Sequence, residues 1–140
     1  MELDLELKII DSPSENLVNE IRKNLQEFNL EHWETQEKTK HVVELRSGHD
    51  LVGGLAFTLF GHWLEVHFFW VDPRKRRSGI GKKLILLAEE YALENGCKFA
   101  CLNTLDFQAK PFYEKCGYKV VYEQKNYPIS GSKYYMEKHL

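Results

Sequence analysis

A basic, glycine-containing stretch at residues 71–83 constrains this chain more than any other part of its sequence. It reads Val-Asp-Pro-Arg-Lys-Arg-Arg-Ser-Gly-Ile-Gly-Lys-Lys, and it leads from an apolar run into a segment of helical periodicity. Free N–H groups at a helix N-terminus attract anions, and glycines let anionic oxygens approach the backbone. Six Arg and Lys side chains lie within residues 74–83. The stretch therefore predicts a diphosphate-binding turn between a strand and a helix.

Two known phosphate motifs can be tested against this stretch. A P-loop needs Gly-x-x-x-x-Gly-Lys followed by Ser or Thr. Here Lys83 follows Gly81-Lys82, and Arg76 stands where the first glycine is required. The Gly-x-Gly-x-x-Gly motif of dinucleotide-binding folds also fails, because position 84 is Leu. A solvated basic loop is the remaining alternative, although it explains the charge and not the glycine spacing.

Hydrophobic periodicity divides the rest of the chain into strands and helices. The predicted strands cover residues 3–10, 40–46, 51–59, 63–71, 98–103, 118–123 and 134–138. The first predicted helix follows a capping-box spacing from Ser12 to Glu15 and ends near Leu30. Two further helices are predicted at 79–95 and 108–116. Residues 31–40 form a loop or a short second helix. Because strand, helix and strand follow each other over 63–103, those two strands should be parallel. The predicted fold class is α+β (α/β in looser usage), with a mixed, mostly antiparallel sheet flanked by helices.

Length, charge and composition exclude several classes of protein. The 140 residues suit a single domain, 1–140. A net charge of −2 argues against binding of nucleic acid, which needs an excess of basic residues. No apolar run approaches the roughly 18 residues of a membrane span, and the N-terminus lacks the pattern of a secretory signal. Three cysteines without a Cys-x-x-Cys pair indicate reduced thiols and no metal centre. We therefore expect a cytoplasmic protein without nucleic-acid or membrane partners.

Two blocks of the sequence resemble the GNAT (Gcn5-related) N-acetyltransferase family. Residues 76–81, Arg-Arg-Ser-Gly-Ile-Gly, match the family's Arg/Gln-x-x-Gly-x-Gly/Ala motif. Residues 109–118, Ala-Lys-Pro-Phe-Tyr-Glu-Lys-Cys-Gly-Tyr, are similar to its Ala-x-x-Phe-Tyr-x-x-x-Gly-Phe segment. Either motif alone is weak, but both stand in the right order and at the right separation. The resemblance also covers the element order of nearly the whole chain.

The resemblance implies an acetyl-CoA-dependent enzyme that moves an acetyl group to a primary amine by direct attack in a ternary complex. In this family the strand before the phosphate loop and the strand after the following helix splay apart, and the pantetheine arm of the coenzyme lies in the opening. The corresponding segments of this chain are 63–71 and 98–103. By carry-over, the pyrophosphate and pantetheine would be bound by Phe69, Val71, Arg76, Arg77, Ser78, Gly79, Ile80, Gly81 and Lys82. The resemblance implies no metal.

Four residues are candidates for proton transfer. Tyr113 matches the family's usual general acid, and packing of its short helix is the alternative role. Glu65 and His67 alternate along strand 63–71, on the face where a base for the amine is expected, although a surface glutamate and a structural histidine explain them equally well. Asp106 stands three residues before Ala109, where many relatives have Asn, and is a third candidate base.

The acceptor and the assembly are less constrained. Four glutamates make the region before the second predicted strand acidic, at positions 27, 31, 34 and 37. This suggests a cationic amine on a small molecule or peptide, and a solvated acidic surface is the alternative. A noncatalytic acyl-CoA-binding module is the competing function, and an acyl enzyme through Cys101 is a competing mechanism. Both a monomer and a homodimer are compatible with the sequence.

Overall fold

The described residues of the N-terminal part of the chain include one helix. The computed structural model describes residues 4–35 and 37–140, and the chain divides into two compact units, Met1–Gln36 and Glu37–Leu140. In the first unit, helix α1 covers Glu15–Leu30. Its N-cap is Ser14, whose hydroxyl accepts a hydrogen bond from the Leu17 N–H at 3.2 Å, rather than the predicted Ser12. Packing of the apolar stripe of α1 on a sheet stays a prediction.

The predicted first strand is wrong for the residues that the structure describes. Residues 4–10 carry no regular secondary structure and belong to no strand ladder, while Leu3 lies outside the described part. Alternating apolar and charged residues give a segment one apolar face. A strand also needs a neighbouring strand to complete its backbone hydrogen bonds, and the alternation does not supply one.

The second unit is a six-stranded sheet with two α-helices and a short 3₁₀ helix, Pro73–Lys75. The strands are β1 Lys38–Ser47, β2 Asp50–Phe60, β3 Trp63–Val71, β4 Phe99–Leu105, β5 Lys119–Lys125 and β6 Ser132–His139. Helix α2 covers Ile80–Glu94 between β3 and β4, and α3 covers Lys110–Lys115 between β4 and β5. The strand order is β1-β2-β3-β4-β6-β5, and only β3 and β4 are parallel neighbours. The mixed, mostly antiparallel α+β fold is therefore confirmed.

The parallel pair separates along its length. Only three residue pairs join β3 to β4, and the last of them is Glu65 with Cys101. Beyond that pair β3 continues to Val71 and β4 to Leu105 without pairing to each other. The predicted opening between the two strands is present, and Glu65 lies at the point where they part.

The hydrophobic core lies between the sheet and α2. Buried side chains of α2, such as Ile85 and Ala88, pack with those of the central strands, such as Leu55, Leu64 and Met136. The opposite face carries polar side chains at β3, β4 and β6. Among the described helices, none is both long and apolar enough to cross a membrane.

Candidate active site

The turn that leaves β3 is held by Asp72. This carboxylate, only 8% exposed, accepts hydrogen bonds from the Arg74 backbone N–H at 2.9 Å and from its guanidinium at 2.7 and 3.1 Å. These bonds from Arg74 lower the pKa of Asp72 from 3.8 to about 2. The Asp72 N–H in turn donates to the Val52 carbonyl at 2.8 Å. Arg74 thus stabilises the turn, and the Asp-Pro pair at the end of β3 is the sequence signal for this cap.

The next residues fold the loop back on the end of β3. Arg76 donates through Nε to the Val71 carbonyl at 2.9 Å, and the Ser78 hydroxyl donates to the Lys75 carbonyl. Arg77 has φ +66° and Gly79 has φ +81°, both in the left-handed region. An arginine in that region is uncommon, and such residues concentrate at functional sites. The loop therefore takes a constrained path just before α2.

The N-terminus of α2 has no side-chain cap. Its N-cap residue is Gly79, which has no side-chain oxygen to accept from the first-turn N–H groups. A Cβ on Gly79 would meet no atom within 4 Å, so the space beside this N-cap residue is open. Free amides, a positive helix end and an open approach are what an anionic oxygen needs. The backbone at Ile80, Gly81 and Lys82 fits a pyrophosphate on these grounds.

Aromatic side chains meet at the opening between β3 and β4. Phe69 of β3 lies with its ring centroid 5.9 Å from that of Phe112 and 6.2 Å from that of Tyr113. A Cβ on Gly81 would lie 3.3 Å from Phe112 Cζ and 3.8 Å from Phe69 Cζ. Gly81 therefore lets the first turn of α2 approach these rings closely. The structure brings together β3, the start of α2 and α3, as the two sequence motifs suggested.

Tyr113 is the buried member of this group. Its side chain is 8% exposed, and burial raises the pKa of its phenol to about 12, with a smaller contribution from Cys116. Within residues 4–35 and 37–140, no group forms a hydrogen bond with its hydroxyl. The phenol is thus protonated at neutral pH and has its donor available.

Glu65 and His67 lie on the other face of the sheet from Tyr113. A bulge in the β2–β3 ladder leaves His67 without a partner on β2, between the pairs of Val66 and Phe68. His67 Nε2 lies 2.7 Å from the hydroxyl of Thr58, and Thr58 is directly opposite Glu65 in the ladder. Glu65 and His67 therefore share one face, as predicted, although the bulge interrupts the simple alternation.

A row of aligned side chains crosses this face. Cys101 pairs with Glu65 on one side and with Glu137 on the other. Burial, followed by these two carboxylates, raises the pKa of Cys101 to about 11. The thiol is thus protonated at neutral pH and lies between two acidic groups.

Asp106 lies apart from both groups. Its N–H donates to the Ser132 carbonyl at 3.0 Å, and its carboxylate oxygens lie 3.1 and 3.3 Å from the position of a Cβ on Gly131. It follows β4, five residues beyond Cys101, which is about 16 Å along an extended strand. The structure does not bring Asp106 together with Glu65 and His67.

Two parts of this geometry escape sequence reasoning. Thr58 precedes His67 by nine positions, and their contact depends on the bulged register of a hairpin. Glu137 lies opposite Cys101 because β6 is the neighbour of β4, while β5 lies at the edge of the sheet. No local motif carries either signal.

Comparison with known proteins places the geometry among acetyltransferases. The family model described as acetyltransferase (GNAT) family matches residues 7–118. The chain is 40% identical over 80 residues to the blasticidin-S acetyltransferase of Streptomyces morookaense, a match that covers 56% of this chain and 59% of that protein. It is 32% identical over 99 residues to the acetyltransferase Atu2258 of Agrobacterium fabrum, covering 70% of this chain and 72% of that protein.

A solved structure extends the similarity to the whole fold. The crystal structure of an acetyltransferase from Bacillus cereus superposes with a TM-score of 0.84 at 26% sequence identity. The superposition covers 95% of this chain and 98% of that one. By contrast, the match to the blasticidin-S acetyltransferase spans less than two thirds of that relative.

Proposed function

Because the chain belongs to the GNAT acetyltransferase family, we propose that it transfers an acetyl group from acetyl-CoA to a primary amine of a small molecule or peptide. One observation carries the proposal. The uncapped start of α2, the ring of Phe69 and the buried phenol of Tyr113 meet at the opening between β3 and β4. We propose direct attack of the amine in a ternary complex.

The anionic end of acetyl-CoA is assigned to the loop and the first turn of α2. The amides of Ile80, Gly81 and Lys82 would hold the pyrophosphate, supported by the open space at Gly79. The side chains of Arg77 in the loop and of Lys82 in the first turn of α2 would add positive charge. Backbone groups at Phe69 and Val71 would hold the pantetheine along β3. The Val71 carbonyl accepts a bond from Arg76 at 2.9 Å, so a ligand that uses this carbonyl has to share it or displace the arginine.

Tyr113 is proposed as the general acid. When the amine nitrogen bonds to the thioester carbon and the carbon–sulfur bond breaks, the sulfur leaves as a thiolate that needs a proton. A pKa of about 12 keeps Tyr113 protonated at neutral pH, and its hydroxyl has no competing partner among the described residues. General acids of this kind contribute about 10²- to 10⁴-fold to the rate.

Glu65 is proposed as the base, acting directly or through water, with His67 as the second candidate. Glu65 lies at the last residue pair before β3 and β4 separate, on the face opposite α2. An amine that approaches the opening from that face would meet this carboxylate. His67 shares the face and bonds Thr58. If Glu65 is the base, Glu65→Gln should lower kcat about 100-fold, and His67→Gln should change it much less. The reverse order would assign the role to His67.

An acyl enzyme through Cys101 is disfavoured by its surroundings. A thiolate is the reactive form of cysteine, and the pKa of about 11 keeps this thiol protonated. Burial and the two flanking carboxylates together produce this raised pKa. Mixing the protein with acetyl-CoA alone should therefore produce no increase in mass.

A cationic amine is the proposed acceptor class. Carboxylates of Glu65 and Glu137 flank Cys101 on the face where the amine would enter, and their charge favours a cation. The relative named as a blasticidin-S acetyltransferase supports a small-molecule acceptor. Turnover with polyamines, aminoglycosides and peptides, measured at two ionic strengths, tests this class. Equal rates for cationic and neutral amines would contradict it.

The experiment that tests the proposed function compares the protein with Tyr113→Phe. Release of free thiol from acetyl-CoA is measured with a panel of amines, and binding of acetyl-CoA is measured by calorimetry. We expect kcat to fall about 100-fold with the Kd of acetyl-CoA nearly unchanged. Tyr91→Phe removes a hydroxyl from α2 away from the opening and serves as the matched control. Binding without turnover on any amine would instead favour the noncatalytic acyl-CoA-binding module.

A further inference from the structure

A buried charged cluster joins α2 to β6 and to the segment after α3. Glu89 of α2 is 4% exposed, yet both of its carboxylate oxygens have partners. Oε1 accepts from Lys138 Nζ at 2.7 Å, and Oε2 accepts from the Tyr118 hydroxyl at 2.8 Å. A buried carboxylate is stable only when it is paired and hydrogen-bonded. Both oxygens of this buried carboxylate are therefore paired, and the bond to Oε2 fixes the hydroxyl of Tyr118.

Tyr118 connects this cluster to Tyr113. The side chain of Tyr118 is 1% exposed, and its ring lies edge-on to that of Tyr113 with centroids 6.0 Å apart. Its backbone N–H also donates to the Tyr113 carbonyl at 3.0 Å. Both the backbone and the ring of Tyr113 thus rest on a residue whose own hydroxyl is bonded to Glu89.

Contact with Tyr118 matters because no hydrogen bond from residues 4–35 or 37–140 holds the Tyr113 hydroxyl. Its ring packs in the hydrophobic core and contacts the rings of Phe69, Phe112 and Tyr118. Misplacement of a catalytic group by about 1 Å can cost about 100-fold in rate. A fixed Tyr118 ring is therefore one of the contacts that restrain where the phenol points.

We propose that Glu89, Tyr118 and Lys138 form a positioning network that holds the phenol of Tyr113 in its reactive place. The three residues act through Tyr113 and touch no reacting atom. The inference rests on the proposed function, because it takes Tyr113 as the general acid. Neither sequence motif contains Glu89 or Lys138, so the network is a property of the folded chain.

A double-mutant cycle tests the network. Four proteins are compared: the unchanged chain, Tyr118→Phe, Tyr113→Phe and the double variant. Tyr118→Phe keeps the ring and the Glu89–Lys138 ion pair, so the variant should fold, which near-UV circular dichroism checks. We expect it to lower kcat about tenfold, with the KM for acetyl-CoA within about twofold. In the Tyr113→Phe background the same change should alter kcat less than about twofold.

The possible outcomes separate the network from the proposed function. If Tyr118→Phe leaves kcat unchanged, or lowers it by the same factor in both backgrounds, while Tyr113→Phe lowers kcat, the network is overturned and the acid stands. If Tyr113→Phe itself leaves kcat unchanged, the acid and the network fail together. A purely structural role for Tyr118 would lower the melting temperature and leave kcat per folded molecule unaltered. Tyr91→Phe is the control for loss of a tyrosine hydroxyl from the protein.

Discussion

The start and the middle of helix α2 differ in whether their polar groups have hydrogen-bond partners. At the start, Gly79 provides no side-chain cap, and the space beside this residue is open. Three turns further on, both oxygens of the buried Glu89 are bonded to Tyr118 and Lys138. A buried unpaired group would destabilise the fold, whereas free amides at a helix end can be satisfied by a ligand. The buried polar group of this helix is thus paired, whereas its uncapped amides lie at the end where acetyl-CoA is proposed to bind.

The largest effect is expected at the satisfied part of the helix. Glu89→Ala leaves the buried Tyr118 hydroxyl without its acceptor and the half-buried Lys138 without its carboxylate, so the free energy of unfolding should fall by about 3 kcal/mol. Urea denaturation measures it. Glu90→Ala, one residue along on the exposed face of the same helix, should change it by less than about 0.5 kcal/mol. Equal effects for the two variants would mean that the buried cluster contributes nothing to stability.

A smaller effect is expected at the open end, and it should appear mainly in binding. Gly79→Ala places a methyl group in open space before α2, at a residue with φ +81°. Gly48→Ala is the matched control, because it places a methyl group in open space in the β1–β2 turn, at a residue with φ +62°. Each should lower the free energy of unfolding by about 1–2 kcal/mol, because alanine disfavours left-handed backbone. Only Gly79→Ala should weaken acetyl-CoA binding, by about tenfold, as measured by calorimetry. If both variants bound acetyl-CoA with the same Kd, the proposal that this helix end binds the pyrophosphate would be wrong.

The sequence predicted the open end of α2 far better than the buried cluster. Glycines and basic residues between a strand and a helix carry a local chemical signal, and residues 71–83 fold as that signal indicates. Tyr118 follows Glu89 by 29 positions and Lys138 follows it by 49. Their contacts with Glu89 depend on the packing of α2 on the sheet. Such contacts are set by tertiary structure and leave no pattern in the neighbouring residues.

The same distinction explains the errors in the fold. Strands β2 and β3 were predictable because turn residues separate two apolar runs that pair with each other. The alternation at residues 4–10 looked equally strong, yet these residues form no ladder. The bulge at His67 is also not predictable from the sequence, because the residues around it show no distinct pattern. Periodicity indicates a possible face, and only a partner makes it a strand.

The smallest effect is expected at Asp72, which holds the turn before α2. Its folded pKa of about 2 lies below its usual 3.8, so its charged form stabilises the folded chain. That stabilisation is complete above about pH 5 and is lost as the pH falls through about 2. The difference in unfolding free energy between the unchanged chain and Asp72→Asn should therefore be constant above about pH 5 and shrink below about pH 4. A difference independent of pH down to about 2 would contradict the role of the Asp72–Arg74 bonds.

The most direct test of the account is a titration of the ¹⁵N-labelled protein with acetyl-CoA, followed by the backbone amide resonances. If the free end of α2 holds the pyrophosphate, the amides of Ile80, Gly81 and Lys82 should shift strongly and saturate with the ligand. The amide of Gly48, in the remote β1–β2 turn, should stay in place. Binding that leaves the three α2 amides unshifted would contradict the central claim.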